Sequence, residues 1–220
     1  MRRYRWLGLK WGKEPTDLVD AIRNNPYSES IDSGFLVSSL APEWVSAKYV
    51  RKFQFIEDIT DPLGRSFPTQ RLFFESIDFR MNRDGSVIEV LDPPRSLSAF
   101  LSVLSELTLF DMGVASIPLD IDPLLEELGS VLPGFRLVEF QCEIPDESRK
   151  VTKRISVFGE QDLRQDLDDL GQGTELRVQR ARITYDGCSL SFSSTGVVRI
   201  QNDPEELMVE PVRRLILGQR

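Results

Sequence analysis

The chain has 220 residues, 40 % hydrophobic and 28 % charged, with 27 Lys and Arg against 35 Asp and Glu for a net charge of −8. Such a composition belongs to an ordinary globular protein with room for one large α+β domain or two small ones. No apolar run approaches the roughly 20 residues of a membrane-spanning helix, and Lys10 and Lys13 cut short the apolar stretch behind the basic start, so a cytoplasmic protein without a membrane partner is expected.

Residues 3–10 read as a strand. Thr16 is the expected N-cap of a helix carrying Leu18, Ala21 and Ile22 at helical spacing, stopped by Asn24-Asn25-Pro26. Strands are expected at 35–40 and 44–56, then a turn at Asp61-Pro62-Leu63-Gly64 and a strand at 71–81. Asn82-Arg83-Asp84-Gly85 makes a hairpin turn into 86–91. After Asp92-Pro93-Pro94, Leu97, Phe100, Leu101, Leu104 and Leu107 form the apolar stripe of a helix.

A strand is expected at 112–119. Asp122-Pro123 then opens a helix that buries Leu124, Leu125, Leu128 and Leu132. Strands at 135–144 and 151–158 follow; alternation across 138–144 puts Cys142 on the buried face, and its spacing from Cys188 does not indicate a disulfide. After Gly159 a helix turns Leu163, Leu167 and Leu170 inward, with Gly171 as its C′ residue. Residues 175–185 and 188–201 are the last strand region. Asp203-Pro204-Glu205-Glu206 caps a final helix with Arg213 and Arg214 in its last turn.

The fold class is therefore α+β, with antiparallel sheet and helices packed on one face. Two halves are expected, 1–115 as an α+β half and 116–220 as an α-ββ-α-ββ-α half, separate or joined as one compact unit. A repeated pattern supports a relation between them. Ser76-Ile77-Asp78-Phe79 leads to Gly85 and Asp92-Pro93, and Ser189-Leu190-Ser191-Phe192 leads to Gly196 and Asp203-Pro204, with eight residues from glycine to proline in each copy. Common turn chemistry alone produces the same matches, so both explanations stay open. The hairpin-and-helix layout resembles sheet-backed binding modules such as the TATA-binding-like saddle.

Histidine is absent. No Ser-His-Asp or Cys-His triad can form within the chain, His-based zinc sites are excluded, and the usual general base near neutral pH is missing. No catalytic, metal-ligating or cofactor-binding residue is singled out, and no cofactor is expected. Carboxylates are the remaining catalytic material. Asp78, Glu89 and Glu139 on or beside strands give a third reading, a Mg²⁺-dependent hydrolase or nuclease, although no lysine stands two residues after either glutamate.

Charge is lopsided: residues 1–110 carry 14 basic against 15 acidic side chains, residues 111–220 carry 13 against 20. Arg2, Arg3, Arg5 and Lys10, interleaved with Tyr4, Trp6 and Trp11, could grip phosphates and stack on bases, or form a solvated edge strand. In 175–185, Arg180 and Arg182 share parity with Leu176 and Val178, so one face changes from apolar to basic. Either a bulge re-registers the strand or it runs past the core. The leading expectation is a non-enzymatic accessory protein that binds another protein within a multi-subunit complex. The alternative is a nucleic-acid-binding module, with Arg2, Arg3, Arg5, Lys10, Trp11, Arg180 and Arg182 as candidate contacts.

Overall fold

A computed structural model of the chain describes residues 1–12, 15–41, 43–82, 84–146, 149–173, 175–202 and 208–218. The side chain of Thr16 and the capping box at 203–206 lie outside the described residues. Among the described residues the fold is mainly β, 50 % strand and 23 % helix, broadly α+β, with eleven strands paired antiparallel and five helices. No described helix is long and apolar enough to cross a membrane. Two compact units emerge, Leu7–Ala115 (the N-terminal unit) and Met1–Trp6 with Ser116–Arg220 (the C-terminal unit). The chain passes from one to the other within its first strand, β1 (Arg2–Trp11).

The N-terminal unit continues as α1 (Pro15–Arg23), β2 (Ser33–Leu40), β3 (Trp44–Thr60), β4 (Ser66–Asn82), β5 (Val87–Leu91), α2 (Ser98–Leu107) and β6 (Met112–Ser116), with strand order β2-β3-β4-β5-β1. Its core is organised around Phe100 of α2. That ring lies 5.7 Å from Tyr49 on β3 and 5.0 Å from Phe79 on β4. Phe35 completes the group 5.4 Å from Tyr49, and Leu18 and Ile22 of α1 join the same cluster. The helical stripe read from sequence is thus real. Leu97, Phe100 and Leu104 are its buried members, while Leu101 and Leu107 are only partly covered.

Several boundaries differ from expectation. β3 and β4 form a 17-residue ladder, Trp44↔Asn82 through Thr60↔Ser66, longer than the 44–56 and 71–81 segments. β6 stops at Ser116, because Ile117 turns its N–H to the carbonyl of Trp6 (3.2 Å) and Leu119 its own to Ser194 (3.1 Å).

The C-terminal unit comprises α3 (Ile121–Val131), β7 (Arg136–Asp146), β8 (Val151–Phe158), α4 (Arg164–Gly171), β9 (Arg177–Tyr185), β10 (Cys188–Ser193), β11 (Val197–Gln201) and α5 (Val209–Gly218). Its strand order is β1-β11-β10-β9-β7-β8. Inward side chains alternate along every central strand: Phe140 and Cys142, Ala181 and Ile183, Leu190 and Phe192, Val198 and Ile200 are all buried. α3 packs on α5 and β9 through Leu124, Leu125 and Leu128. The helix begins at Ile121 with Asp120 at the N-cap, two positions earlier than Asp122-Pro123 implies. Gly171 is the last residue of α4, and Gly173 takes the left-handed conformation (φ +73°) instead. Arg213 sits mid-helix in α5, not in its last turn; it is buried, pairs with Glu210 at 3.2 Å and lies over the Tyr4 ring. Both cysteines are free thiols, and burial with nearby Asp122 pushes the Cys142 thiol up.

Both repeated turns place glycine in the left-handed region, Gly85 at φ +67° and Gly196 at φ +81°. Gly196 has a second reason to be glycine: a Cβ there would meet the Ile117 carbonyl oxygen at 2.1 Å, whereas one at Gly64 (φ +80°) meets nothing within 4 Å. Gly64→Ala should therefore cost only about 1 kcal/mol, and Gly196→Ala at least ~3 kcal/mol, measured by denaturant unfolding. Equal costs would show that the Ile117 approach is unimportant.

Asp162 anchors the start of α4. Burial alone would raise its carboxyl, but hydrogen bonds from the Arg164 side chain and from the Leu137 and Arg164 backbone N–H groups outweigh this and hold it below the usual carboxylate range. A depressed folded pKa stabilises above the unfolded pKa and is lost as pH falls through the folded one. Asp162→Ala should cost about 1 kcal/mol at pH 7. The gap between variant and wild type should close as unfolding is measured at progressively lower pH below about 4.

Candidate functional site

Two surfaces stand out, one on each unit. The first is the outer part of the β3–β4 hairpin. Inward residues of the ladder's first half, Val45, Ala47, Tyr49, Ile77, Phe79 and Met81, are buried. Beyond Phe53 every residue of β3 is exposed, as are residues 66–74 of β4 save the half-buried Thr69. Seven exposed residues at about 3.4 Å each make an arm of roughly 24 Å. Directly opposed residues share a face. Phe53, Phe55, Ile59, Phe67 and Phe73 therefore continue the core face, while Ile56, Leu72 and Phe74 lie on the other. Ile56, Phe67, Leu72 and Phe74 are each more than half exposed.

A two-stranded ribbon is marginal by itself. Here Phe55 stacks on Phe73 (5.0 Å, 21°), and Glu57 accepts from Arg71 at 2.6 Å. At the tip, Asp61 caps the turn by accepting from the Leu63 and Arg65 N–H groups at 2.8 Å. The arm is thus ordered by cross-strand pairs, with its apolar side chains left to solvent.

The second surface is the face of the C-terminal sheet opposite its buried residues. Register places Arg3 opposite Arg199, Arg199 opposite Ser191, Ser191 opposite Arg182, and Arg182 opposite Glu139. One residue pair along the strands, Arg5 lies opposite Val197, and Ser193 opposite Arg180, itself opposite Gln141. Because opposed residues share a face, arginines of β11 and β9 flank a column of serines on β10, with Arg3 and Arg5 of β1 on the same face.

A bulge at Gln179 brings this about. Gln141 pairs with Arg180 but Cys142 pairs with Val178, so Gln179 is the extra residue and both Arg180 and Arg182 turn outward while Val178 and Ala181 stay buried. Of the two explanations for the basic half of this strand, the bulge is the one observed. Ser194 fixes it, its N–H donating to the Gln179 carbonyl at 2.9 Å and its hydroxyl to the side-chain oxygen at 2.7 Å.

Arg180, Arg182, Arg199, Ser191 and Ser193 line a cleft of about 310 Å³ with Thr195 and Glu139. Arg182 donates to Glu139 at 2.8 Å, Arg5 to the Ser116 hydroxyl at 2.6 Å, and Ser193 and Thr195 share a 2.8 Å hydrogen bond. Among the described residues no ion pair engages Arg180 or Arg199.

Of the seven candidate contacts, Arg3, Arg5, Arg180 and Arg182 share one face of the sheet, and Arg180 and Arg182 are the two that line the cleft. Arg2 faces the other way, opposite Ile200, and Lys10 and Trp11 belong to the N-terminal unit, where Trp11 packs against the core. Tyr4 and Trp6 are buried and stacked on one another at 5.8 Å, which withdraws them from solvent. Sequence reasoning missed Arg199 and the Ser189-Ser191-Ser193 alternation, whose outward parity is visible between Leu190 and Phe192. The candidate catalytic carboxylates are engaged in cross-strand ion pairs, Asp78 with Lys48 at 3.3 Å and buried Glu89 with Arg80 at 3.9 Å, and no metal-ligating cluster forms among the described residues. No protein-family model matches the chain, and a search of curated proteins finds no similar sequence.

The arm and the core should respond differently to truncation. Ile56→Ser and Phe74→Ser are expected to shift unfolding free energy by no more than about 0.5 kcal/mol, whereas Phe100→Ala costs ~3–5 kcal/mol. A large loss from either arm variant would mean that the arm is packed.

Proposed function

We propose that this protein is a non-enzymatic accessory subunit that binds another protein through the β3–β4 arm, within a multi-subunit assembly. The observation that carries this reading is the arm's apolar surface, with Ile56, Phe67, Leu72 and Phe74 each more than half exposed along one hairpin. Soluble chains rarely leave such a surface uncovered, and contiguous exposed apolar side chains mark places where a partner sits. A net charge of −8 works against a second copy as that partner, since like-charged chains repel. Nucleic acid is the weaker fit, because Tyr4 and Trp6, the aromatics nearest the arginine face, are buried and offer no stacking platform.

The two units also support a reading of the chain as two related halves with helices on one side of each sheet. In each, a helix and a strand precede a three-strand meander, β3-β4-β5 or β9-β10-β11, that ends in a helix. The hairpin β8 with α4 is then an insertion in the second half.

The test is quantitative affinity purification from the native host, with wild type beside the Ile56→Ser/Phe67→Ser/Phe74→Ser variant. A partner should be recovered in stoichiometric amount with wild type and at least tenfold less with the variant, whose melting temperature is unchanged. Recovery of wild type as a lone stable monomer under gentle conditions, or undiminished capture by the variant, overturns the proposal.

A further inference from the structure

The arginine-lined cleft of the C-terminal sheet has chemistry of its own, independent of the arm. We infer that it binds a phosphate monoester, held between Arg199 and the Arg180–Arg182 pair above the hydroxyls of Ser191 and Ser193.

Geometry comes first. β11 and β9 flank β10, so the backbones bearing Arg199 and Arg182 are two strand spacings apart, about 10 Å, with Ser191 between them. Long side chains from both flanks can close on one tetrahedral anion over the serine column. Arg180 stands two residues along β9, beside Ser193, and supplies a third fork. Guanidinium groups match phosphate oxygens in bidentate fashion, and hydroxyls complete the donor set. A carboxylate has two oxygens for one fork, and Glu139 takes a single contact from Arg182, at 2.8 Å. A phosphate dianion has oxygens for several.

Energetics point the same way. Arg3 and Arg199 are directly opposed on β1 and β11, and like charges in that position cost stability. Arg180, Arg182 and Arg199 all lie in residues 111–220, which carry 13 basic against 20 acidic side chains, so the positive patch runs against its surroundings. A bound dianion offsets the repulsion. The cleft's volume of about 310 Å³ suits a small phosphate-bearing group. Among the described residues longer nucleic acid finds no stacking surface here: Phe158, exposed on this face, lies opposite Glu139 on β8, three strands or roughly 14 Å from the serines.

The test is calorimetric titration of the full chain with inorganic phosphate, O-phosphoserine and a nucleoside monophosphate, beside an unphosphorylated Glu-rich peptide and a single-stranded oligonucleotide. Saturable one-to-one binding of the monoesters is expected, and the tighter of O-phosphoserine and the nucleotide identifies whether the source is peptide-like or nucleotide-like. Arg199→Ala and Arg180→Ala should each weaken binding by about tenfold or more, with Lys at either place recovering only part. Because the chain has no histidine, the ligand's own second ionisation near pH 6 should dominate. Affinity should therefore fall several-fold from pH 7.5 to 5. Arg199→Ala should also leave the melting temperature of the unliganded protein unchanged or raised while abolishing its rise with phosphate. The inference fails if the monoesters show no saturable binding, or if both alanine variants bind as wild type does. It also fails if the acidic peptide or the oligonucleotide binds in a way that phosphoserine does not displace.

Discussion

Period-two alternation is the constraint on which the C-terminal unit depends. A strand has two faces, and a slip of one residue exchanges them. Along β9 the inward positions are Val178, Ala181 and Ile183, an interval of three followed by one of two. Without the bulge at Gln179, Arg180 would share the parity of Val178 and drive a guanidinium into the core beside Phe140 and Phe192. One inserted residue therefore does two things: it keeps the apolar series buried, and it aligns Arg180 with Arg182 on the open face. The anchoring of that residue by Ser194 links the bulge to the Gly196 turn, which is itself held to glycine by the Ile117 carbonyl.

The N-terminal unit solves a different problem. Its core is built from aromatic rings meeting at Phe100, with helix α2 supplying the knob and β3 and β4 the walls. That arrangement uses only the first half of the long hairpin. The remainder keeps the same alternation but meets no helix, so Phe55, Ile59 and Phe67 occupy core-like positions without a core above them.

Much of this was legible from sequence, and the exceptions have physical causes. Helical stripes such as Phe100–Leu104 and Leu124–Leu128, and the alternation around Cys142, follow directly from burial on one face. The outer arm was not legible because both of its faces carry apolar residues, interrupted by Glu57, Asp58 and Pro68; no single-face period survives to extend the strands past 56 or before 71. Arg199 was overlooked because Val197, Arg199 and Gln201 look like routine solvent-side alternation. Only pairing across β11, β10 and β9 shows that such positions converge, and pairing between distant segments is not written in local spacing. The N-terminal aromatics leave two readings open in sequence, since Tyr4 lies between arginines and Trp6 follows Arg5; alternation sends both rings to the buried side of the strand.

The arm's backbone carries a further implication. β2 pairs with β3 only as far as Arg51, and β5 with β4 only from Asp78, so both long edges of the outer ribbon present unpaired N–H and C=O groups beside exposed phenylalanines. Such an edge is a template for strand addition, the starting geometry of aggregation. The net charge of −8 opposes such pairing, and that repulsion decays over about 10 Å at 0.1 M salt. Strand addition at these edges should therefore grow easier as ionic strength rises.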